Sequence, residues 1–336
     1  MSKHTLVLGD GGWGQALAMS LHRAGRPVVV WAHEAAYAAE VAETRHNRKF
    51  LPDVPVPDEI GWTGDEDVAV DGADEVYSVL PTQFVRATVG RFGDRLRGLP
   101  IVSASKGLER GTLKRPTQIL AEAVGGEPAM CVVTGPSHAE ETALGMATTV
   151  VAAAPVAADA RRVQERLSSE ALRVYTGEDM VGAELGGALK NIIALAAGVA
   201  DGIGLGDNAK AALVSRGLIE MARFGESLGS RRETFFGLSG VGDLMVTCYS
   251  RHSRNRSTGE QIGRGRTLKE ILAETEKVAE GVWTCQAIHE AASEQGVDMP
   301  ITHALHGILF DGADPRDVVG QLMQRPSRAE LDRDPA

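Results

Sequence analysis

The spacing of apolar residues changes once along this 336-residue chain, near residue 180, and that change constrains the fold more than any other feature. Before it, short runs rich in β-branched residues alternate with stretches of helical spacing, as in βαβ units building a parallel sheet. The clearest strand segments are 6–8, 28–31, 75–80, 101–104 and 131–133. A further pair, 148–151 and 172–175, flanks a helix-like stretch at 157–167 and completes the sheet. After residue 180 the pattern becomes helical, over 181–199, 209–228, 267–273, 284–294 and 301–307. Asp207 is placed to cap the second of these helices, and Thr267 with Glu270 has capping-box spacing at the third. The expectation is an α/β domain with a parallel-rich sheet over residues 1–180 and an all-α domain over 181–336. At roughly 100 to 200 residues per domain, the length suits two.

Composition narrows the function classes. Lys plus Arg number 35 against 45 Asp plus Glu, a net charge of −10, which argues against a protein that holds nucleic acid by its overall field. An anionic ligand must therefore meet a local basic site. Cys131, Cys248 and Cys285 are far apart with no CxxC spacing, so reduced thiols in a cytosolic protein are expected rather than a zinc site or disulfide framework. His138, His252, His289, His303 and His306 read as structural or surface residues, and no metal is expected. Met1 to His4 runs directly into the first strand, leaving no room for a secretory leader. The most apolar stretch, 192–200, is far shorter than the roughly 20 residues that span a bilayer, so no membrane insertion is expected.

Gly9-Asp10-Gly11-Gly12-Trp13-Gly14 is a GxGxxG motif, directly after the first strand and opening a helical segment. Gly9 permits the tight turn, Gly11 lets backbone approach a pyrophosphate, and Gly14 lets helix and strand pack closely. The helix N-terminus adds free N–H donors and a partial positive charge. About 20 residues onward, His33 and Glu34 occupy the position that sorts nicotinamide cofactors. Glu34 favours NAD, whereas His33 can accept a 2′-phosphate or pack on adenine, so NADH and NADPH both stay open.

Ligands of open α/β sheets gather beyond the carboxyl ends of the strands. Pro81, Lys106 with Gly107, and Gly135-Pro136-Ser137 follow strands at that edge. In the helical half, Lys190 and Asn191 lie inside a segment of small and apolar residues, Glu184 to Ala194. Burial lowers a lysine pKa and makes its ammonium group able to exchange protons near neutrality. Asp243 and Thr247 become neighbours on one face if the segment after Gly242 is helical. The Ser253-Arg254-Asn255-Arg256 run can grip a phosphate through guanidinium and amide donors.

These blocks, in this order, resemble one family over nearly the whole chain: bacterial NAD(P)-dependent glycerol-3-phosphate dehydrogenase. The similarity runs through Gly9 to Gly14, Val30 to His33, Asn47 to Pro52, Ser105 to Leu108, Thr134 to Ser137, Gly186 to Asn191, Gly240 to Leu244, Thr247-Cys248, Ser253 to Arg256 and Met299 to Ile301. The resemblance implies a Rossmann-type N-terminal domain, a helical C-terminal domain and a cytoplasmic homodimer. It further implies NAD(P)H-dependent reduction of dihydroxyacetone phosphate to sn-glycerol 3-phosphate for phospholipid synthesis. Lys190 would be the proton donor and acceptor, its site completed by Asp243 and Thr247. Substrate contacts would be Lys106, Gly135, Ser137, Asn191, Ser253, Arg254 and Asn255. Cofactor contacts would be Gly9, Gly11, Gly12, Trp13, Gly14, His33, Lys106, Ala139, Arg254, Val278 and Glu280. Asp10 and Gly12 depart from the small apolar residue and Ser usual in the family's glycine turn, and Thr258 replaces an expected aromatic residue. A dehydrogenase of another small 3-hydroxy acid, or a nicotinamide-binding sensor without catalysis, are the alternative readings.

Overall fold

Strand β1 (His4–Leu8) is buried at every position, as a strand covered on both faces must be. It pairs in parallel with β2 (Val28–Trp31), which in turn pairs with the edge strand β3 (Gly61–Thr63). On its other side follow β4 (Ala73–Ser78), β5 (Ile101–Ser103) and β6 (Met130–Thr134), all parallel. Strand β7 (Thr148–Ala153) joins β6 antiparallel and carries β8 (Leu172–Gly177) in parallel. The sheet order is β3-β2-β1-β4-β5-β6-β7-β8. The computed structural model describes residues 3–274, 279–327 and 329–330.

The helices that accompany the sheet are α1 (Gly12–Arg23), α2 (Ala35–Thr44), α3 (Glu66–Val70), α4 (Thr82–Phe92), α5 (Pro116–Val124), α6 (Ala139–Ala143) and α7 (Ala157–Leu167). From α8 (Met180–Ile203) onward the described elements are helical: α9 (Asp207–Ser227), α10 (Asp243–Tyr249), α11 (Arg254–Gly263), α12 (Leu268–Glu274), α13 (Glu280–Gln295), α14 (Pro300–Phe310) and α15 (Pro315–Met323). Apolar clusters cover both faces of the sheet, with Leu17, Val30 and Tyr77 in one and Leu8, Trp31 and Phe92 in the other. A separate cluster surrounds α8 through Leu189, Ile193, Phe224 and Ile288.

Helix α8 organises the second half. By length and composition alone it could cross a membrane, but most of it is buried inside the protein. Its close crossing with α11 depends on small residues. A Cβ on Gly198 would stand 2.0 Å from the Arg256 carbonyl, and one on Gly259 would stand 2.0 Å from the Leu195 carbonyl. The buried Glu184 carboxylate joins α8 to the start of α5, accepting from Thr117 N at 2.8 Å, Thr117 Oγ1 at 2.6 Å and Arg115 Nη1 at 2.5 Å. Burying that charge is tolerable because its oxygens are paired and hydrogen-bonded.

Three differences from the sequence reading stand out. Strand β3 was not expected, since three residues at a sheet edge carry too little alternation to register. The helix bounds of the second half differ from the expected ones by one to four residues, α8 extending by one residue at its start and four at its end. Asp207 does not cap α9: Gly206 is the N-cap, no side chain caps the helix, and Asp207 is its first residue. The Thr267–Glu270 capping box does form, with Thr267 N donating to Glu270 Oε2 at 2.8 Å and Glu270 N donating to Thr267 Oγ1 at 3.3 Å.

Candidate active site

Because β1, β2, β4, β5 and β6 run parallel, the residues after their carboxyl ends share one edge of the sheet. The glycine turn, His33, Lys106 and Gly135 all lie along it. Helix α8 passes beside this edge, where a Cβ on Gly187 would stand 3.2 Å from Thr134 Oγ1 and 3.5 Å from Lys106 Cγ.

Asp243, the first residue of α10, is buried between two lysines. Lys190 Nζ donates to its Oδ1 at 2.5 Å, and Lys106 Nζ donates to its Oδ2 at 2.8 Å. Lys190 also donates to Thr247 Oγ1 at 2.9 Å. The Thr247 hydroxyl gives its own proton to the Asp243 carbonyl one turn back, at 2.6 Å, so its oxygen is fixed as the acceptor facing the lysine. An ammonium has three donors. Two are committed among the described residues, and one remains for a ligand oxygen.

Electrostatics follow from this packing. Burial pushes the Lys190 ammonium down, the Asp243 carboxylate pulls it back, and Lys106 pushes it down again, leaving it at about 8. Burial alone would raise the Asp243 carboxyl, but Lys106 and Lys190 together hold it below the ordinary carboxylate range. Asn191, next to the lysine in α8, is buried, and its amide makes no hydrogen bond among the described residues. Lys106 also reaches the Gly135 carbonyl at 3.4 Å, and Ser137 Oγ donates to the same carbonyl at 2.9 Å.

The Ser253 to Arg256 run divides sharply. Ser253 is the buried N-cap of α11, its hydroxyl accepting from Arg256 N at 3.2 Å. Arg256 is spent on Asp201, with Nε 2.7 Å from Oδ2, and is therefore not a free phosphate donor as the sequence allowed. Arg254, by contrast, is exposed and makes no hydrogen bond or ion pair among the described residues. Asn255 Oδ1 accepts from Gly281 N at 2.9 Å, which fixes its amide nitrogen as the remaining donor. Glu280, at the start of α13, is half-buried, and its carboxyl is raised by desolvation against the pull of Arg254, Lys190 and Lys106. Val278 lies outside the described residues.

The glycine turn fits a dinucleotide. Gly9 has φ +120°, and a Cβ on Gly14 would stand 2.0 Å from the Gly9 carbonyl, so close contact fixes both positions. A Cβ at Gly11 would meet nothing within 4 Å, leaving open space beside the helix start. Gly11 is the N-cap of α1, so no side chain covers the first-turn N–H groups. The buried Trp13 Nε1 has no partner among the described residues, and Ala139 Cβ would lie 3.5 Å from a Cβ on Gly12. Uncapped donors around open space are what a pyrophosphate requires.

Sequence reasoning assigned no role to several residues that complete this region. Asn47 Nδ2 donates to the Asp10 carbonyl at 2.7 Å and Asn47 Oδ1 accepts from Tyr37 at 2.6 Å, clamping the turn from a loop outside any periodic segment. Arg91 Nη1 lies 2.8 Å from His33 Nδ1. His138 Nε2 is buried with no hydrogen-bond partner among the described residues, and burial followed by Lys190 lowers that imidazole's pKa. The structure also gathers three histidines the sequence left scattered: His289 stacks on His306 with centroids 3.8 Å apart, and its Nδ1 is 2.7 Å from His303 Nδ1. All three cysteines are buried and free.

Known proteins carry the same architecture and a similar sequence. Residues 5–160 match the family model of the NAD-dependent glycerol-3-phosphate dehydrogenase N-terminus, and residues 179–320 match that of its C-terminus. A glycerol-3-phosphate dehydrogenase [NAD(P)+] of Geobacillus kaustophilus is 47% identical over 329 residues, 97% of this chain and 96% of its own length. One from Salinibacter ruber is 45% identical over 334 residues, 98% and 97% of the two chains. The crystal structure of glycerol-3-phosphate dehydrogenase from Coxiella burnetii superposes with a TM-score of 0.90 at 35% identity, covering 96% of this chain and 99% of that one. With both halves matched and relatives this similar over almost their full length, the chain belongs to the NAD(P)-dependent glycerol-3-phosphate dehydrogenase family.

Proposed function

We propose that the protein reduces dihydroxyacetone phosphate to sn-glycerol 3-phosphate, reversibly, with NADH or NADPH, and so supplies glycerophospholipid synthesis. The observation that carries this reading is the buried Lys190, held by Asp243 and Thr247 with one N–H uncommitted and a pKa of about 8. Such a group gives up or takes a proton near neutral pH, as general acid-base catalysis of a ketone–alcohol exchange requires.

A nicotinamide, when bound, supplies the hydride for the ketone carbon. Lys190 gives its proton to the carbonyl oxygen as negative charge develops there, and takes it back in the oxidation direction. Asp243 and Thr247 aim the ammonium group, while Lys106 and Asn191 orient the substrate oxygens beside it. Gly135 and Ser137 line the same edge. Arg254 and the Asn255 amide bind the phosphate, with Ser253 setting the start of their helix; a permanently charged fork in a protein of net charge −10 is the local cation the substrate needs. Gly9, Gly11, Gly12, Trp13 and Gly14 cradle the cofactor's pyrophosphate end, with His33 toward its adenosine ribose and Ala139 and Glu280 along its length.

The same proposal places a dinucleotide domain at 1–180 and a substrate domain at 181–336, in a cytoplasmic homodimer that neither enters a membrane nor binds nucleic acid. The test is the loss of NADPH or NADH absorbance with dihydroxyacetone phosphate. No turnover with either cofactor overturns the reading.

A further inference from the structure

Between β2 and α2, the groups that would face a cofactor's adenosine ribose are already arranged in two ion pairs. Glu34, whose carboxylate would accept the ribose hydroxyls and repel a 2′-phosphate, is held by Lys49 Nζ at 2.9 Å, with that ammonium 4.2 Å over the Tyr37 ring. The second pair comes from elements remote in sequence. Arg91, near the end of α4, lies with its guanidinium 5.0 Å over Trp31, the last residue of β2. It also stands 2.5 Å from Glu66 Oε1 on α3.

The contact with His33 fixes the chemistry. Arginine has only donors, so at 2.8 Å His33 Nδ1 must be the acceptor and the ring N–H lies at Nε2. The pair thus presents a guanidinium, charged at every physiological pH, together with an imidazole N–H. Both are exposed at the strand end. Those are the donors that recognise a phosphate monoester. An indole below, an imidazole beside and a carboxylate behind hold the guanidinium, so little ordering is needed when an anion arrives. Glu66 is its counterweight, competing with that anion for the same cation.

We infer that Arg91 is a specificity-determining residue that admits a 2′-phosphate at the adenosine ribose, and that Glu66 restrains it so that the unphosphorylated cofactor also binds. This rests on the dinucleotide reading of the glycine turn. It adds a residue 58 positions from His33 in sequence as the cation that sorts the two cofactors.

The test is binding rather than turnover. Calorimetric titration of the full-length protein with adenosine 2′,5′-bisphosphate and with adenosine 5′-monophosphate separates the 2′-phosphate from the rest of the site. Arg91→Met should weaken the bisphosphate by roughly 10 to 100-fold, the weight of a charge-assisted hydrogen bond, and the monophosphate by less than about threefold. Glu66→Gln should move the bisphosphate the other way, tightening it by about two- to tenfold. In steady state, Arg91→Met should raise KM for NADPH while KM for NADH and both kcat values stay near wild type. Equal weakening of both nucleotides would show that Arg91 only supports Trp31, and unchanged discrimination in both variants would likewise overturn the inference. If the wild type bound neither nucleotide, the dinucleotide reading itself would fall, and this inference with it.

Discussion

Lys106 and Lys190 stand on opposite oxygens of one buried carboxylate, that of Asp243, at 2.8 Å and 2.5 Å. One negative charge thus serves two positive ones, and the surplus falls on the more deeply buried lysine. Burial and Lys106 both favour the neutral Lys190 amine, while Asp243 opposes them, and the balance leaves the group at about 8 rather than the ordinary 10.5. Function near neutrality therefore depends on a three-residue charge balance drawn from the sheet edge, α8 and α10.

Replacing Lys190 by Met keeps side-chain length and removes the transferable proton. Turnover should fall by about 10² to 10⁴-fold, the usual weight of general acid-base catalysis, with nucleotide affinity within a few-fold of wild type. In the wild type, ketone reduction needs the ammonium form, so its kcat should decline as pH rises through about 8. Alcohol oxidation needs the amine and should rise over the same interval. Parallel pH profiles in the two directions would remove Lys190 from proton transfer.

Lys106→Met removes the second cation from Asp243. Since Lys106 lowers the Lys190 pKa, its loss should shift the reduction limb to higher pH, in addition to raising KM for the substrate. Asp243→Asn acts with the opposite sign, leaving Lys190 buried beside an unopposed Lys106 and moving the limb down. A limb that stays in place in both variants would mean that another group controls it.

Much of this arrangement was legible because it is local. The glycine turn is contiguous, the Asp243 and Thr247 spacing is one helical turn, and Lys190 stands out as an ammonium in a small apolar segment. What the sequence could not give are partners across long separations: Lys106 and Asp243 are 137 residues apart. Nor could spacing, without the family resemblance, separate Arg254 from Arg256. Two positions apart on a helix they point roughly to opposite sides, so Asp201 pairs with Arg256 while Arg254 has no ion-pair partner among the described residues. Asp207 misled for a different reason. Gly206, with φ +80°, turns the chain into α9 one residue earlier, and the carboxylate falls inside the first turn.

The α8–α11 crossing should be a sensitive packing contact in the helical half. Gly259→Ala would drive a methyl to 2.0 Å from the Leu195 carbonyl, which is backbone and cannot swing aside. The overpacking cost is about 1 to 3 kcal/mol or more, lowering the melting temperature by about 1 to 4 °C or more. Gly320→Ala in α15 is the matched comparison, because a Cβ there meets nothing within 4 Å. It should stabilise by up to about 1 kcal/mol through helix propensity alone. A melting temperature unchanged by Gly259→Ala would show that the two helices can separate without loss.

In the proposed function, Arg254 is the residue that would make a phosphate a requirement of the substrate. Its guanidinium is exposed and unpaired among the described residues, next to an Asn255 amide fixed in orientation by Gly281. A charge-assisted hydrogen bond contributes about 1.5 to 3 kcal/mol. Arg254→Ala should therefore lower kcat/KM for dihydroxyacetone phosphate by roughly 10 to 150-fold. Unphosphorylated dihydroxyacetone lacks the group that Arg254 would hold, so its poor turnover should change far less. Arg256→Ala provides the structural contrast: losing its ion pair with Asp201, which Lys210 also holds, should lower the melting temperature and reduce turnover of both substrates alike. If Arg254→Ala also penalised the two substrates equally, Arg254 would be supporting the fold or the cofactor, and the phosphate would have to be held by Asn255 and Lys106.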